Sequence, residues 1–305
     1  MGLRIKIIMN PSSGRERAMA NVEDTIAYLS SQKAIERADI SYTAGPLDAT
    51  RYAMDIRQEE YDLVMAVGGD GTVNEVVTGM LKGNIDLPLA VYTSGTVNDF
   101  ASFMKLPAEP SDFARMLMSH KTVKVDCGKV NDRYFLNVLA GGLLSAVAYK
   151  VPSDLKTNLG PVAYWIEGLK EINSITKTIP LKLKTDKDEY DIDATMFLIS
   201  NTRSVGGFKN LMLDADLHDG LLDVLVISKV SYMDAIPLLN KIALGEHLES
   251  DKVLYFQTSK LEMSATNDQK VTLDIDGEKG PKLPATIECI RDAINLVIPS
   301  EEALL

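Results

Sequence analysis

Residues 68–75 read Gly-Gly-Asp-Gly-Thr-Val-Asn-Glu and follow directly on the apolar run Leu63-Val64-Met65-Ala66-Val67. A short apolar run bounded by turn residues predicts a buried strand. Beyond the glycines, Val73, Val76, Val77, Met80 and Leu81 recur at helical spacing, so a helix begins at once. A buried strand that ends in three glycines and a carboxylate and turns straight into a helix is the outline of a phosphate site. Glycine lets the backbone approach a ligand closely and take positive φ. The free N–H groups and the positive end of the helix favour an anion. No Lys-Ser/Thr follows the last glycine, which excludes a Walker loop, and the glycine spacing is wrong for the dinucleotide fingerprint. Asp70 repels phosphates unless a cation lies between or it polarises an incoming hydroxyl. A plain strand-to-helix turn accounts for an isolated Gly-Asp-Gly; the longer motif after a buried strand favours phosphate.

The arrangement recurs through the first part of the chain. Leu3–Met9 alternates as a strand and ends in Asn10-Pro11-Ser12-Ser13-Gly14, after which Met19, Val22, Ile26 and Leu29 fall on one helical face. Asp39–Thr43 is a second strand, with Asp48 placed to cap a helix carrying Tyr52, Ala53 and Ile56 inward. Leu87–Tyr92 is a fourth strand, leading into Thr93-Ser94-Gly95-Thr96-Val97-Asn98-Asp99-Phe100, and Ser111 opens a helix with Phe113, Met116 and Leu117. Alternating strand and helix predicts an N-terminal parallel α/β domain over residues 1–122, with ligands at the carboxyl ends of its strands.

From Lys121 the pattern becomes β-rich. Val123–Val130 and Tyr134–Leu139 read as a hairpin, as do Pro180–Thr185 and Tyr190–Ile199. Strands continue at Leu221–Ile227, Val253–Thr258, Leu261–Ala265, Val271–Ile275 and Ala293–Ile298, with helices around 161–172 and 231–244. Residues 123–305 are therefore expected to form a C-terminal β-sandwich, whose last segment is free to return to the first domain. A net charge of −11 argues against nucleic acid and against simple adsorption to an anionic bilayer. No segment has the length and apolarity of a transmembrane helix, and the start lacks the layout of a secretory signal. Two cysteines, Cys127 and Cys289, make neither a disulfide framework nor a zinc site, so a reducing cytoplasm is the expected setting. His120, His218 and His247 lack ligand spacing.

Three further stretches carry candidate chemistry. Asn98-Asp99 either binds a metal-bound phosphate or a hydroxyl, or caps a short helix. Asp214, Asp216 and Asp219 precede a strand and read, on residues alone, as a solvated turn. Asp274-Ile275-Asp276-Gly277-Glu278 is a hairpin turn by its Asp-Gly pair, and Glu278 becomes a candidate general base if the turn faces the glycine loop. Trp165, with Lys150, Lys156, Lys170 and Lys177 around it, offers either a packing site or a local membrane-facing patch.

Taken together, Asn10-Pro11-Ser12-Ser13-Gly14, Gly68–Glu75, Ser94–Ala101 and Asp274–Glu278 resemble the four landmarks of the diacylglycerol kinase catalytic family, in its order and rough spacing, over nearly the whole chain. The chain looks most like the bacterial soluble lipid kinases. Gly-Gly-Asp-Gly-Thr alone is shared with NAD kinases; Gly95-Thr96-Val97-Asn98-Asp99-Phe100-Ala101 separates this family from them. The resemblance implies an α/β nucleotide domain, a β-sandwich, and a site in the cleft. It implies ATP contacts from Asn10, Pro11, Ser12, Ser13 and Gly14, from Thr43, from Gly68, Gly69, Asp70, Gly71, Thr72, Val73 and Asn74, and from Thr96, beside Asn98. By the same resemblance Glu278 is the base, and Asp70, Asp99 and Asp126 help hold Mg²⁺. Asp219 with the carbonyls of Asp216 and Leu221 would form a structural Mg²⁺ site. The expected partner is a lipid at a membrane surface, met by transient peripheral association, with a homodimer left open. Tyr92-Thr93-Ser94 and Val97 depart from the usual family residues, which bears on the acceptor.

Overall fold

The computed structural model describes residues 2–12, 15–93, 99–143, 178–205, 208 and 210–299. Ser13, Gly14, Thr96, Asn98, Trp165, its neighbouring lysines and the helix expected over 161–172 lie outside the described residues, as does the Asp99 side chain. The chain divides into two compact units, residues 1–125 with 292–305, and residues 126–291.

The first unit is a parallel α/β layer. Strands β1 (Leu3–Met9), β2 (Ile35–Tyr42), β3 (Leu63–Gly68) and β4 (Leu89–Thr93) lie in the order β2-β1-β3-β4, all parallel. Every residue of β3 is buried, as expected for a strand covered on both faces. Helices α1 (Arg15–Ser31), α2 (Asp48–Met54), α3 (Asp70–Gly83), α4 (Asp99–Phe103) and α5 (Pro110–Ser119) alternate with the strands. Two expectations are corrected. The inward face of α1 runs through Ala18, Val22, Thr25 and Leu29, while Met19 is exposed. Asp48 does not cap α2: its carboxylate accepts the N–H groups of Ala44 and Gly45. The cap comes from α3 instead, where the Glu75 carboxylate accepts Leu47 N–H at 2.9 Å and Ala49 N–H at 3.1 Å.

The second unit is antiparallel. It is built from β5 (Thr122–Val130), whose larger part it holds, β6 (Arg133–Phe135), β7 (Val138–Gly142), β8 (Ile179–Lys184), β9 (Glu189–Ser200) and β10 (Leu222–Ser228). Helix α6 (Tyr232–Leu244) follows, then β11 (Val253–Thr258), β12 (Lys260–Ala265), β13 (Thr272–Ile275), β14 (Glu278–Lys282) and β15 (Ala285–Val297), which this unit holds as far as Arg291. Neighbours run β14-β13-β7-β9-β8-β12-β15, and β9 also pairs β10, which pairs β11. Alternation along the central strands gives two cores. Leu139, Phe197, Ile199, Val224 and Val226 face the sandwich interior. Ala140, Leu198, Leu225 and Ile227 face α6 and the loop around Leu211–Ala215. Two glycines are covered by the ring opposite them: Gly128 pairs with Phe135 and Gly141 with Phe197.

The strand expected over Tyr134–Leu139 is interrupted at Leu136-Asn137, and the last strand starts at Ala285 rather than Ala293. The first difference has a specific cause. The N–H groups of Leu136, Asn137 and Val138 all donate to the Asp276 carboxylate, at 3.0, 3.1 and 2.8 Å, and so are unavailable to a ladder. The second reflects the charged stretch around Arg291-Asp292, with Asp292 at φ 50°, which hides one strand as two halves.

His247 is fully buried, and its Nε2 lies 2.8 Å from the Leu211 carbonyl, which makes Nε2–H the donor and leaves Nδ1 bare. Nδ1 has no partner among the described residues, and burial holds the imidazole below its usual 6.5. The unfolded chain therefore takes up the proton first on acidification. Its contribution to stability is present above pH 6.5 and is lost as the pH falls. Between about pH 7.5 and about pH 5, wild type should lose more thermal stability than His247→Gln. Parallel loss in the two proteins would contradict this.

Candidate active site

Parallel pairing brings the carboxyl ends of four strands to one edge of the first unit. Met9 is level with Tyr42 and with Val67, and Gly68 with Thr93. The order β2-β1-β3-β4 reverses direction between β1 and β3, and such a switch point opens a crevice for ligands beyond the strand ends. Its walls are the loop after β1 and the glycine loop after β3. Asn10 Nδ2 donates to Thr72 Oγ1 at 3.3 Å across it, while Asn10 Oδ1 accepts Ser12 N–H at 2.9 Å. Thr43 N–H donates to Met9 O at 2.9 Å, extending the β1–β2 ladder to the same edge.

Gly69 is the N-cap of α3, in extended conformation, and there is no side-chain cap hydrogen bond among the described residues. A helix that starts on glycine has no N-cap side chain of its own to compete with a ligand, and its macrodipole is aligned for an anion. Asp70 is the first helical residue, and Thr72 and Asn74 of the same turn are buried. An alanine Cβ at Gly68 would fall 2.5 Å from Thr72 Oγ1 and 2.6 Å from Thr72 Cβ, so close packing of strand on helix demands glycine there. Asn10, Pro11, Ser12, Thr43 and Gly68–Asn74 are thereby brought to one edge. Asp99 is the first residue of α4.

In the second unit the acidic loop is fastened rather than solvated. Ala215, Leu217 and Gly220 are buried. The buried Asp126 carboxylate accepts Gly220 N–H at 2.7 Å, and Asp126 N–H donates to Leu217 O at 2.7 Å. Asp219 Oδ1 accepts Leu221 N–H at 2.8 Å. Gln257 Nε2 reaches Asp214 O at 3.3 Å and the carboxylates of Asp219 and Asp223. Asp216 turns outward, its carboxylate held by His218 N–H and by the His218 ring, so only its carbonyl is offered to the loop.

Burial pushes Asp223 up to about 6, with Asp219 and Asp214 adding to the rise, and Tyr255 and Gln257 hydrogen bonds opposing it. Burial likewise raises Asp219, reinforced by Asp216 and Asp126. Crowded, desolvated carboxylates with hard oxygen donors suit a divalent cation. Among the described residues no three Asp, Glu, His or Cys side chains converge as a ligand set, so carbonyls would have to complete the shell. The residues fit Mg²⁺ on those terms. Asp223, Tyr255 and Gln257 were invisible as site residues in the sequence; the available signal was one carboxylate, Asp223, inside the apolar strand Leu221–Ile227.

Glu278 is exposed at the start of β14, which among the described residues pairs with β13 alone. The turn before it is Asp276-Gly277, with φ 49° and 89°, the hairpin turn that Asp-Gly predicts. Gly277 N–H donates to Asp274 Oδ1 at 2.9 Å.

Residues 4–130 match the diacylglycerol kinase catalytic domain, and residues 137–298 match the YegS C-terminal NAD kinase beta sandwich-like domain. A diacylglycerol kinase of Staphylococcus epidermidis is 35% identical over 301 residues, 99% of this chain and 94% of that protein. The fold is shared with a diacylglycerol kinase crystal structure from Bacillus anthracis str. Sterne (TM-score 0.78, 23% identity, 97% of this chain and 96% of that one). It is shared more distantly with yeast NADH kinase complexed with NADH (TM-score 0.54, 14% identity, 99% and 85%). The matched domains account for both units, and the identity to a named relative runs the length of the chain: this protein belongs to the diacylglycerol kinase family.

Proposed function

We propose that this kinase transfers the γ-phosphoryl group of ATP to the hydroxyl of a membrane lipid, diacylglycerol or a close relative, with Mg²⁺. The observation that carries the reading is the glycine-started N-terminus of α3 at the β1/β3 switch point, walled by Asn10 and the Gly68–Thr72 turn. The N–H groups of that turn hold phosphate oxygens, and Asn10 and Thr43 line the same edge. Glu278 takes the proton from the lipid hydroxyl as its oxygen bonds to the γ-phosphorus and the bond to the bridging oxygen breaks, releasing ADP. By the family resemblance Asp70 and Asp99 serve as anionic partners of the cation. Mg²⁺ when bound would neutralise phosphate charge, with Asp126 helping to hold it; Asp219 and the carbonyls of Asp216 and Leu221 would hold a further ion that orders the acidic loop.

Phosphate transfer from labelled ATP to a panel of dispersed lipids tests the reading, with Asp70→Ala and Glu278→Ala as controls. Labelled lipid from wild type and not from the variants supports it; no labelled lipid, or equal labelling by all three, sinks it. The sandwich match and the fold of yeast NADH kinase favour one alternative, a kinase of a soluble nucleotide acceptor. NAD in the same assay separates the two.

A lipid acceptor requires transient docking at a bilayer, here on a cytoplasmic face. Among the described residues no helix is long and apolar enough to cross a membrane. With a net charge of −11, attraction to an anionic surface is weak, so apolar insertion is the better route. Helix α6 suits it. It buries Ala235, Leu238 and Ile242, yet exposes Met233 (85%), Ile236 (39%) and Leu244 (72%). Replacing Met233 and Leu244 by aspartate should lower the affinity for diacylglycerol-containing vesicles, read by co-sedimentation, by about three orders of magnitude, since two buried side chains of this size together contribute roughly 4 kcal/mol. Unchanged co-sedimentation would remove α6 from the docking surface.

A further inference from the structure

Among the described residues the strand that Glu278 opens pairs with β13 alone, yet a general base has to be held within a few tenths of an ångström of its proton. Two features hold it: one lies inside the Asp274–Glu278 landmark but reads from the sequence only as a turn residue, and the other lies outside the landmarks. The first is Asp276. Its carboxylate accepts three successive N–H groups, from Leu136, Asn137 and Val138, and its own N–H donates to Val138 O at 2.9 Å. Three converging N–H groups make an anion-binding concavity, here filled from within by a carboxylate. The floor beneath it is rigid. Ser200 Oγ donates to Asn137 O at 2.9 Å, Asn201 N–H donates to Asn137 O at 3.0 Å, and Asn201 Nδ2 donates to Asp126 O at 2.7 Å. The second feature is Arg133, whose Nη1 donates to Lys279 O at 2.7 Å, one residue beyond Glu278.

We infer that Asp276 and Arg133 are positioning residues for Glu278: they pin the backbone on either side of it to the segment Arg133–Val138, and so set where its carboxylate meets the acceptor hydroxyl. The inference rests on the proposed role of Glu278. It accounts for a cost the fold otherwise bears without return, the interruption of a strand at Leu136-Asn137. It also assigns Asp276 a task beyond turn formation, since asparagine or glycine would serve a type I′ turn equally well but could not accept three N–H bonds as an anion.

The test is steady-state phosphate transfer to diacylglycerol in mixed micelles for wild type, Asp276→Asn, Arg133→Met, Glu278→Gln and the double variant D276N/E278Q. Asp276→Asn should lower kcat about 30-fold and Arg133→Met about 5-fold, each with KM for ATP within about twofold of wild type. In the Glu278→Gln background the Asp276 substitution should cost nothing further, because there is no base left to place. A loss of equal size in both backgrounds, or an Asp276→Asn kcat within about twofold of wild type, overturns the inference. Should Asp276→Asn fail to fold, Arg133→Met, which leaves the turn's own bonds intact, carries the same comparison alone and with E278Q. If Glu278→Gln matches wild type, the assignment of the base fails instead, and if wild type transfers nothing to lipid but labels NAD, the comparison is run on that acceptor.

Discussion

Glu278→Gln should reduce kcat for phosphoryl transfer by about three orders of magnitude, close to 4 kcal/mol of transition-state stabilisation, and leave ATP affinity and thermal stability nearly unchanged. Three observations set the size and selectivity of that effect. Glutamine keeps the shape of the side chain and removes only its capacity to accept a proton. Position 278 is exposed, so the exchange strands no buried charge. The backbone there is held by bonds to its neighbours, Asp276 and Lys279, not by the Glu278 side chain's own burial. The loss should therefore appear in kcat and in kcat/KM alike, the signature of an interaction made in the transition state. Isothermal titration with a non-hydrolysable ATP analogue checks the other half. A large loss of nucleotide affinity would place Glu278 in ground-state binding and remove it as the base.

Which features were legible in the sequence and which were not follows from range. The glycine loop, its strand and its helix are a local pattern: Leu63–Val67, the glycines and the 3.6-residue period of α3 all lie within one window, and the structure keeps them in register. The same holds for Ser231, whose hydroxyl accepts Asp234 N–H and starts α6 where the sequence places it. Long-range carboxylates were misread or passed over. Glu75 looks like the tail of a motif and in fact caps a helix 26 residues earlier. Asp48 looks like that cap and serves the preceding turn. Asp276 reads as a turn residue, and its three N–H partners lie about 140 residues away. Asp223 reads as a lapse in an apolar strand, yet its Tyr255 and Gln257 partners tie β10 and β11 to the acidic loop. In each case the residue type was informative, and its partner was fixed only by topology. Met19 failed for a different reason. The helical period admits two neighbouring faces, and Ala18 rather than Met19 fits under α1 against the sheet.

Gly68→Ala should raise the KM for ATP at least 30-fold, about 2 kcal/mol, without unfolding the protein. The argument is steric. The added methyl would lie 2.6 Å from Thr72 Cβ and 2.5 Å from Thr72 Oγ1. Rotating Thr72 about χ1 moves its hydroxyl but not its Cβ, so no rotamer relieves the contact. The first turn of α3 must retreat from β3 by about an ångström to restore ordinary van der Waals separation. That retreat carries the uncapped N–H groups away from the phosphates they would hold and pulls Thr72 Oγ1 from Asn10 Nδ2, already 3.3 Å distant. Stability should suffer less, because the rest of α3 is anchored through Val73, Val76, Val77 and Met80, all at most 2% exposed. Thr72→Ala alone removes the Asn10 bond but leaves the turn in place, and should cost about 1 kcal/mol, a few-fold in KM. The ordering decides the matter: Gly68→Ala far worse than Thr72→Ala identifies the position of the turn as what ATP binding depends on, whereas equal effects would reduce the glycine's role to protecting one hydrogen bond.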